Sequence, residues 1–101
     1  MIVYEWDAET VNVHEDIDDH NHADTLSEVL RYCSNEPADG SHYRIVLVRD
    51  KFDECRGLVD RSWAYLNDDG TLPEYFSDSC GEDTFKVPKR FHREAASLVG
   101  V

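Results

Sequence analysis

The run Ile45-Val46-Leu47-Val48 constrains the fold of this chain more than any other sequence feature. An unbroken apolar run rich in β-branched residues is typical of a central strand that is covered on both faces. We therefore expect a sheet with this run near its middle.

Two other segments alternate between apolar and polar residues, as half-buried strands do. They are Ile2–Trp6 and Val59–Leu66. The second should follow a loop at Lys51–Gly57 and end at the turn Asn67–Gly70. Thr84–Val87 is predicted to be a short edge strand.

Two helices are expected. Thr25 and Glu28 have the spacing of a capping box, and apolar residues then recur at helical intervals, which predicts a helix from about Leu26 to Ser34. Pro88 suits the first turn of a second helix. The buried side of that helix is expected to carry Phe91, Ala95, Leu98 and Val99.

The remaining segments are harder to assign. Val11 and Val13 indicate a short second piece of strand, Glu15–Asp24 is polar enough to predict a loop, and Tyr75-Phe76 is predicted to form one helical turn. With 101 residues and 41% apolar content, the chain has material for one core. The sequence therefore predicts one acidic α+β domain over residues 1–101, with a small antiparallel or mixed sheet of three to four strands and two helices packed on it.

Charge limits the possible functions. The chain has 22 acidic residues against 10 lysines and arginines, a formal net charge of -12. The segment 1–41 holds eleven acids and only Arg31, and the segment 67–84 holds six acids and no base. Phosphate attraction dominates nucleic-acid affinity, so we expect no direct binding to nucleic acid. No run approaches the roughly 18 apolar residues of a membrane span, so we expect no membrane contact and a cytoplasmic location.

Clustered carboxylates have two interpretations. High net charge favours solubility. Carboxylates that share one surface can also imitate phosphates and bind the Lys- and Arg-lined groove of a nucleic-acid-handling protein. The candidate partner-binding residues are Glu5, Asp7, Glu9, Glu15, Asp16, Asp18, Asp19, Asp68 and Asp69.

Catalysis and cofactor binding receive less support. No glycine-rich phosphate loop and no nucleophile with an assignable base is present, so we expect no enzyme. Cys33, Cys55 and Cys80 include no C-x-x-C pair and are expected to be reduced, with Cys80 exposed. His20 and His22 lie among carboxylates at a spacing that could bind zinc. A solvated loop explains them as well, so our first interpretation includes no metal or other cofactor.

Several short motifs resemble small, uncharacterised acidic proteins encoded by phages and prophages. They are Tyr4-Glu5-Trp6-Asp7, His20-Asn21-His22, Arg61-Ser62-Trp63-Ala64-Tyr65, Asp69-Gly70 and Leu72-Pro73-Glu74. Such proteins are often antagonists of host defence, including restriction inhibitors and anti-CRISPR proteins. The resemblance implies an inhibitor that binds a basic nucleic-acid-handling protein in the host cell. We expect the chain to be a monomer or weak homodimer. A small metal-binding protein and a phage assembly component are the alternatives.

Overall fold

The structure is a computed structural model that describes residues 1–78 and 85–98. It confirms the α+β class. In these ranges the elements are β1 (Ile2–Val11), β2 (Ile17–Ala23), α1 (Leu26–Cys33), β3 (His42–Asp53), β4 (Gly57–Tyr65) and α2 (Lys89–Leu98).

The four strands form one antiparallel sheet in the order β2-β1-β3-β4. The apolar run lies in β3, where Val46 faces Asp7 of β1 on one side and Tyr65 of β4 on the other. The central position is confirmed, and the sheet is antiparallel rather than mixed. Among the described residues the apolar core cluster packs on one face of the sheet, and on the other face Val46 is also almost fully buried.

The core lies between that face and the helices. Trp6, Leu47 and Ala64 stand in register across β1, β3 and β4 and are almost fully buried. The segments that cover them contribute Leu26, Val29, Leu72, Phe76, Val87, Phe91 and Ala95. Burial of each large apolar side chain contributes about 1.5–3 kcal/mol, so this face supplies most of the driving force for folding.

Both predicted helices are present. The Thr25 hydroxyl accepts a hydrogen bond from the Glu28 N–H at 3.3 Å and donates one to the Glu28 carboxylate at 3.0 Å, which fixes the start of α1. Phe91 and Ala95 of α2 are buried as predicted. The prediction for Leu98 is wrong, since it is 46% exposed where the helix ends. Val99 lies outside the described residues.

The prediction of a loop over Glu15–Asp24 is wrong. Ile17–Ala23 forms β2, which pairs with β1 across a turn built on Asn12. The Asn12 side-chain oxygen accepts hydrogen bonds from the N–H groups of His14 at 2.8 Å and Asp16 at 3.1 Å. Because β2 is an edge strand, its polar side chains stay in water or face polar groups of β1. Strand β1 is also longer than predicted and includes Val11.

The loop predicted over Lys51–Gly57 is shorter in the structure. Strand β3 continues to Asp53 and β4 begins at Gly57. The Asp53 carboxylate accepts hydrogen bonds from the N–H groups of Cys55 and Arg56 at 2.8 and 3.2 Å, which explains the tight connection.

The helical turn predicted at Tyr75-Phe76 is also wrong. This segment is extended: Ser77 exchanges backbone hydrogen bonds with Trp63 of β4, and Tyr75 forms a bridge with Lys86. Pairing to the sheet competes with the helical turn and satisfies the same backbone groups. The predicted edge strand Thr84–Val87 contributes Lys86 to this bridge. Thr84 and Cys80 lie outside the described residues.

Candidate functional site

The face of the sheet opposite the core carries a cluster of carboxylate and imidazole side chains. Strand alternation points Trp6 and Ala8 into the core and therefore Glu5, Asp7 and Glu9 to the opposite side. This side, which we call the open face, contains a depression of about 370 Å³. Its lining residues are Glu5, Asp7, Glu9, His20, His22, Val46, Val48, Arg61, Trp63 and Tyr65.

Strand register sets the layout of the open face. One row across the sheet is His22, Asp7, Val46 and Tyr65. The next row along β1 is Glu5, Val48 and Trp63. Adjacent strands lie about 4.8 Å apart, so the acidic β1 side chains and the β4 aromatic rings start about 10 Å apart. Valines lie between them, which leaves the depression apolar in the middle, acidic on one side and aromatic on the other.

Asp7 is the most deeply placed acid of this face, with 3% of its surface exposed. Its Oδ2 lies 2.7 Å from His20 Nδ1. Its Oδ1 is buried, accepts no hydrogen bond from the described residues and lies 3.8 Å from His22 Nδ1. The two imidazole rings are nearly parallel, with centroids 5.9 Å apart. Asp7 thus stands beside two imidazoles and retains one unpartnered oxygen.

Glu9 is also buried, and two neighbouring side chains contact its carboxylate. Arg44 donates a hydrogen bond to Oε1 at 3.0 Å, and the Tyr65 hydroxyl contacts Oε1 and Oε2 at 3.0 and 3.2 Å. Burial, and then the bond to Glu9, raise the pKa of Tyr65. The Arg44 guanidinium lies 5.0 Å from the centre of the Tyr65 ring. These contacts neutralise Glu9 and fix its orientation.

The second arginine of the open face is paired as well. Arg61 donates two hydrogen bonds to the Asp50 carboxylate, at 2.7 and 3.1 Å. Hydrogen bonding to Asp50 raises the pKa of Arg61. Glu5 Oε2 lies 3.5 Å from His22 Nδ1. Within residues 1–78 and 85–98, Glu5 and Asp7 therefore have no lysine or arginine at ion-pair distance.

The predicted partner-binding residues outside the depression form two groups. Glu15, Asp16, Asp18 and Asp19 are exposed at the end of the β1–β2 hairpin. Asp68 and Asp69 occupy the predicted turn after β4, which is confirmed by a hydrogen bond from the Gly70 N–H to the Asn67 carbonyl at 2.9 Å. The Thr71 hydroxyl and N–H both donate to Asp69 and lower the pKa of its carboxyl.

The sequence did not indicate which residues share a site. It links His20 and His22 to nearby Asp18 and Asp24, whereas in the fold the two imidazoles face Asp7 of the neighbouring strand. The available signal is alternation: acids at every second position of β1 and histidines at every second position of β2. When a hairpin pairs such strands in the observed register, Asp7 with His22 and Glu9 with His20, the two sets lie on one face.

Comparison of the chain with protein-family models, curated proteins and solved structures finds no match. Among the described residues, no helix has the length and apolar character needed to cross a membrane.

Proposed function

We propose that this chain is a binding protein whose open face accepts a cationic segment of a basic partner protein. The observation that carries the proposal is the pairing of two features in one depression. Glu5 and Asp7 lack a lysine or arginine partner among the described residues, and the Trp63 ring opposite them has no cation over it there. A lysine or arginine side chain from a partner can pair with these carboxylates and stack on the Trp63 ring.

The energetics favour a cation over an anion or an apolar ligand. An arginine or lysine stacked on tryptophan gains about 0.5–2 kcal/mol. A carboxylate at the rim adds about 0.2–1 kcal/mol. The valines on the floor fit the methylene stem of such a side chain, which packs well on apolar surface. An anionic ligand would instead be repelled by the carboxylates of Glu5 and Asp7.

The exposed hairpin acids extend this surface. Glu15, Asp16, Asp18 and Asp19 lie on the same β1–β2 ribbon as Glu5 and Asp7. They would attract a basic surface over a longer range and raise the association rate at low salt. This supports the proposal that the natural partner is a nucleic-acid-handling protein, with the chain acting as an inhibitor of the anti-restriction or anti-CRISPR kind.

A labelled oligolysine peptide tests the binding chemistry directly. Fluorescence anisotropy in chelator-containing buffer should show saturable binding that weakens as salt rises. Trp63→Leu should weaken it about 2- to 30-fold, and Glu5→Gln about 1.5- to 5-fold, as the energies above imply. An oligoglutamate peptide of equal length should not bind.

Asp68→Asn is the matched control, since it removes the same charge from the turn after β4. It should change affinity less than Glu5→Gln does. Equal losses for the two variants would mean that only net charge matters, and the proposed site would be wrong. Unchanged affinity in Trp63→Leu would exclude the aromatic contact.

A further inference from the structure

Asp7, Glu9 and His20 stand together in a way that the binding of a basic partner does not require. Each offers a ligand atom, and these atoms lie within 4.8 Å of one another. Two of the residues are buried on β1 and the third is exposed on β2. We propose that these three residues form a zinc site on the open face.

The buried oxygen of Asp7 is the second, independent observation. A carboxylate with 3% exposure is costly to bury unless it is paired or bound to a metal. Asp7 Oδ1 accepts no hydrogen bond within residues 1–78 and 85–98, although Oδ2 lies 2.7 Å from His20 Nδ1. A cation at this place would satisfy the carboxylate that the protein itself leaves incomplete.

The donor set selects the class of ion. Two carboxylates and one imidazole suit zinc, which accepts both oxygen and nitrogen ligands. Calcium and magnesium prefer oxygen ligands throughout, so His20 disfavours them. Three protein ligands beside a depression leave a fourth position for water or a ligand, as in zinc sites that are not closed.

The surroundings of Glu9 match what metal ligands need. Arg44 and the Tyr65 hydroxyl form hydrogen bonds with its carboxylate. Hydrogen bonds of this kind orient ligating groups, and their loss typically weakens metal affinity 10- to 100-fold. Zinc–ligand distances near 2.0–2.1 Å require donor atoms roughly 3.3 Å apart, so the exposed His20 ring must move to admit the ion.

Isothermal titration of the untagged protein with zinc chloride tests the site. We expect one zinc ion per chain with a dissociation constant in the micromolar range or below. Asp7→Asn and His20→Ala should each weaken binding at least 10-fold, and calcium chloride should give no saturable heat. His20 is exposed on an edge strand, so its variant keeps the test valid if Asp7→Asn fails to fold.

His14→Ala is the matched control, because His14 is an exposed imidazole in the turn between the same two strands. It should bind zinc within twofold of the unsubstituted protein. The proposal is overturned if the unsubstituted protein gives no saturable heat, if His20→Ala binds normally, or if His14→Ala loses as much affinity as His20→Ala.

Zinc would also act on the proposed function, since it removes two negative charges from the open face. Bound zinc should weaken binding of the oligolysine peptide. By thermodynamic linkage, bound peptide should weaken zinc binding by the same factor. The two proposals fail separately: zinc titration uses no peptide, and the peptide titration in chelator uses no zinc.

Discussion

Glu94 of α2 joins three parts of the fold through one carboxylate. Its Oε1 accepts a hydrogen bond from the Trp6 indole N–H at 3.0 Å, and its Oε2 accepts one from the Leu26 backbone N–H at 2.8 Å. Trp6 is fully buried, and Leu26 is the first residue of α1. The helix N-terminus favours a negative charge at this position. We therefore expect Glu94→Ala to be among the most destabilising changes outside the apolar core.

The size of the effect follows from these contacts. A hydrogen bond to a charged group contributes about 1.5–3 kcal/mol, and a buried donor left unpaired costs its desolvation energy. Alanine leaves both the Trp6 indole N–H and the Leu26 backbone N–H without the Glu94 acceptor, and both residues are fully buried. The expected loss in the free energy of unfolding is about 2–4 kcal/mol. Glu94→Gln keeps an acceptor for Trp6 and should lose about half as much.

Equilibrium unfolding in urea, followed by tryptophan fluorescence, measures these differences. Glu36→Ala is the control, since Glu36 is an exposed loop residue, and it should stay within about 0.5 kcal/mol of the unsubstituted protein. The reasoning is refuted if Glu94→Ala is equally mild, or if Glu94→Gln and Glu94→Ala destabilise the protein alike.

Three further predictions concern single residues. The raised pKa of Tyr65 means that its neutral form stabilises the fold below the ordinary tyrosine pKa of about 10, and that this stabilisation is lost as pH rises through the folded-state value. The difference between the ultraviolet pH titrations of the unsubstituted protein and Tyr65→Phe isolates the Tyr65 phenol. This phenol should ionise above pH 10, and ionisation at or below pH 10 would contradict the reasoning. Thr25→Ala should cost about 1 kcal/mol in urea unfolding through loss of the helix cap, and no change would mean that the cap is dispensable. Gly40 and Gly57 have φ of 78° and 72°, so alanine at either should lower the free energy of unfolding by about 1 kcal/mol. The loss should be larger at Gly40, where the new methyl group would collide with Val13, and equal losses at the two positions would contradict the collision.

Much of the fold can be predicted from local sequence because several elements have a strong signal within a few residues. The run Ile45–Val48 indicates the centre of the sheet, and Thr25 marks the start of α1. In both cases the local preference agrees with the packing around it, so no tertiary contact overrides the pattern.

The edge strand β2 was not predictable in the same way. Nor were the bridges from Tyr75 to Lys86 and from Ser77 to Trp63. Ile17–Ala23 has few apolar residues, and its stability comes from backbone bonds to β1 and from contacts such as Asp7 with His20. Such contacts join residues 13 positions apart, and the alternation of acids and histidines along the two strands does not by itself show which of them pair. Hydrophobic periodicity detects which strand faces are buried in the core, and the open face is not one of them.

The central claim is that the open face binds cationic side chains. The most direct measurement is a nuclear magnetic resonance titration of isotope-labelled protein with oligolysine in chelator, with backbone and tryptophan indole signals assigned. The account predicts that the Trp63 indole signal and the amides of Glu5, Asp7 and His22 shift together and saturate, while those of Asp68 and Asp69 stay nearly fixed. Shifts confined to the turn after β4, or spread evenly over all acidic residues, would contradict it.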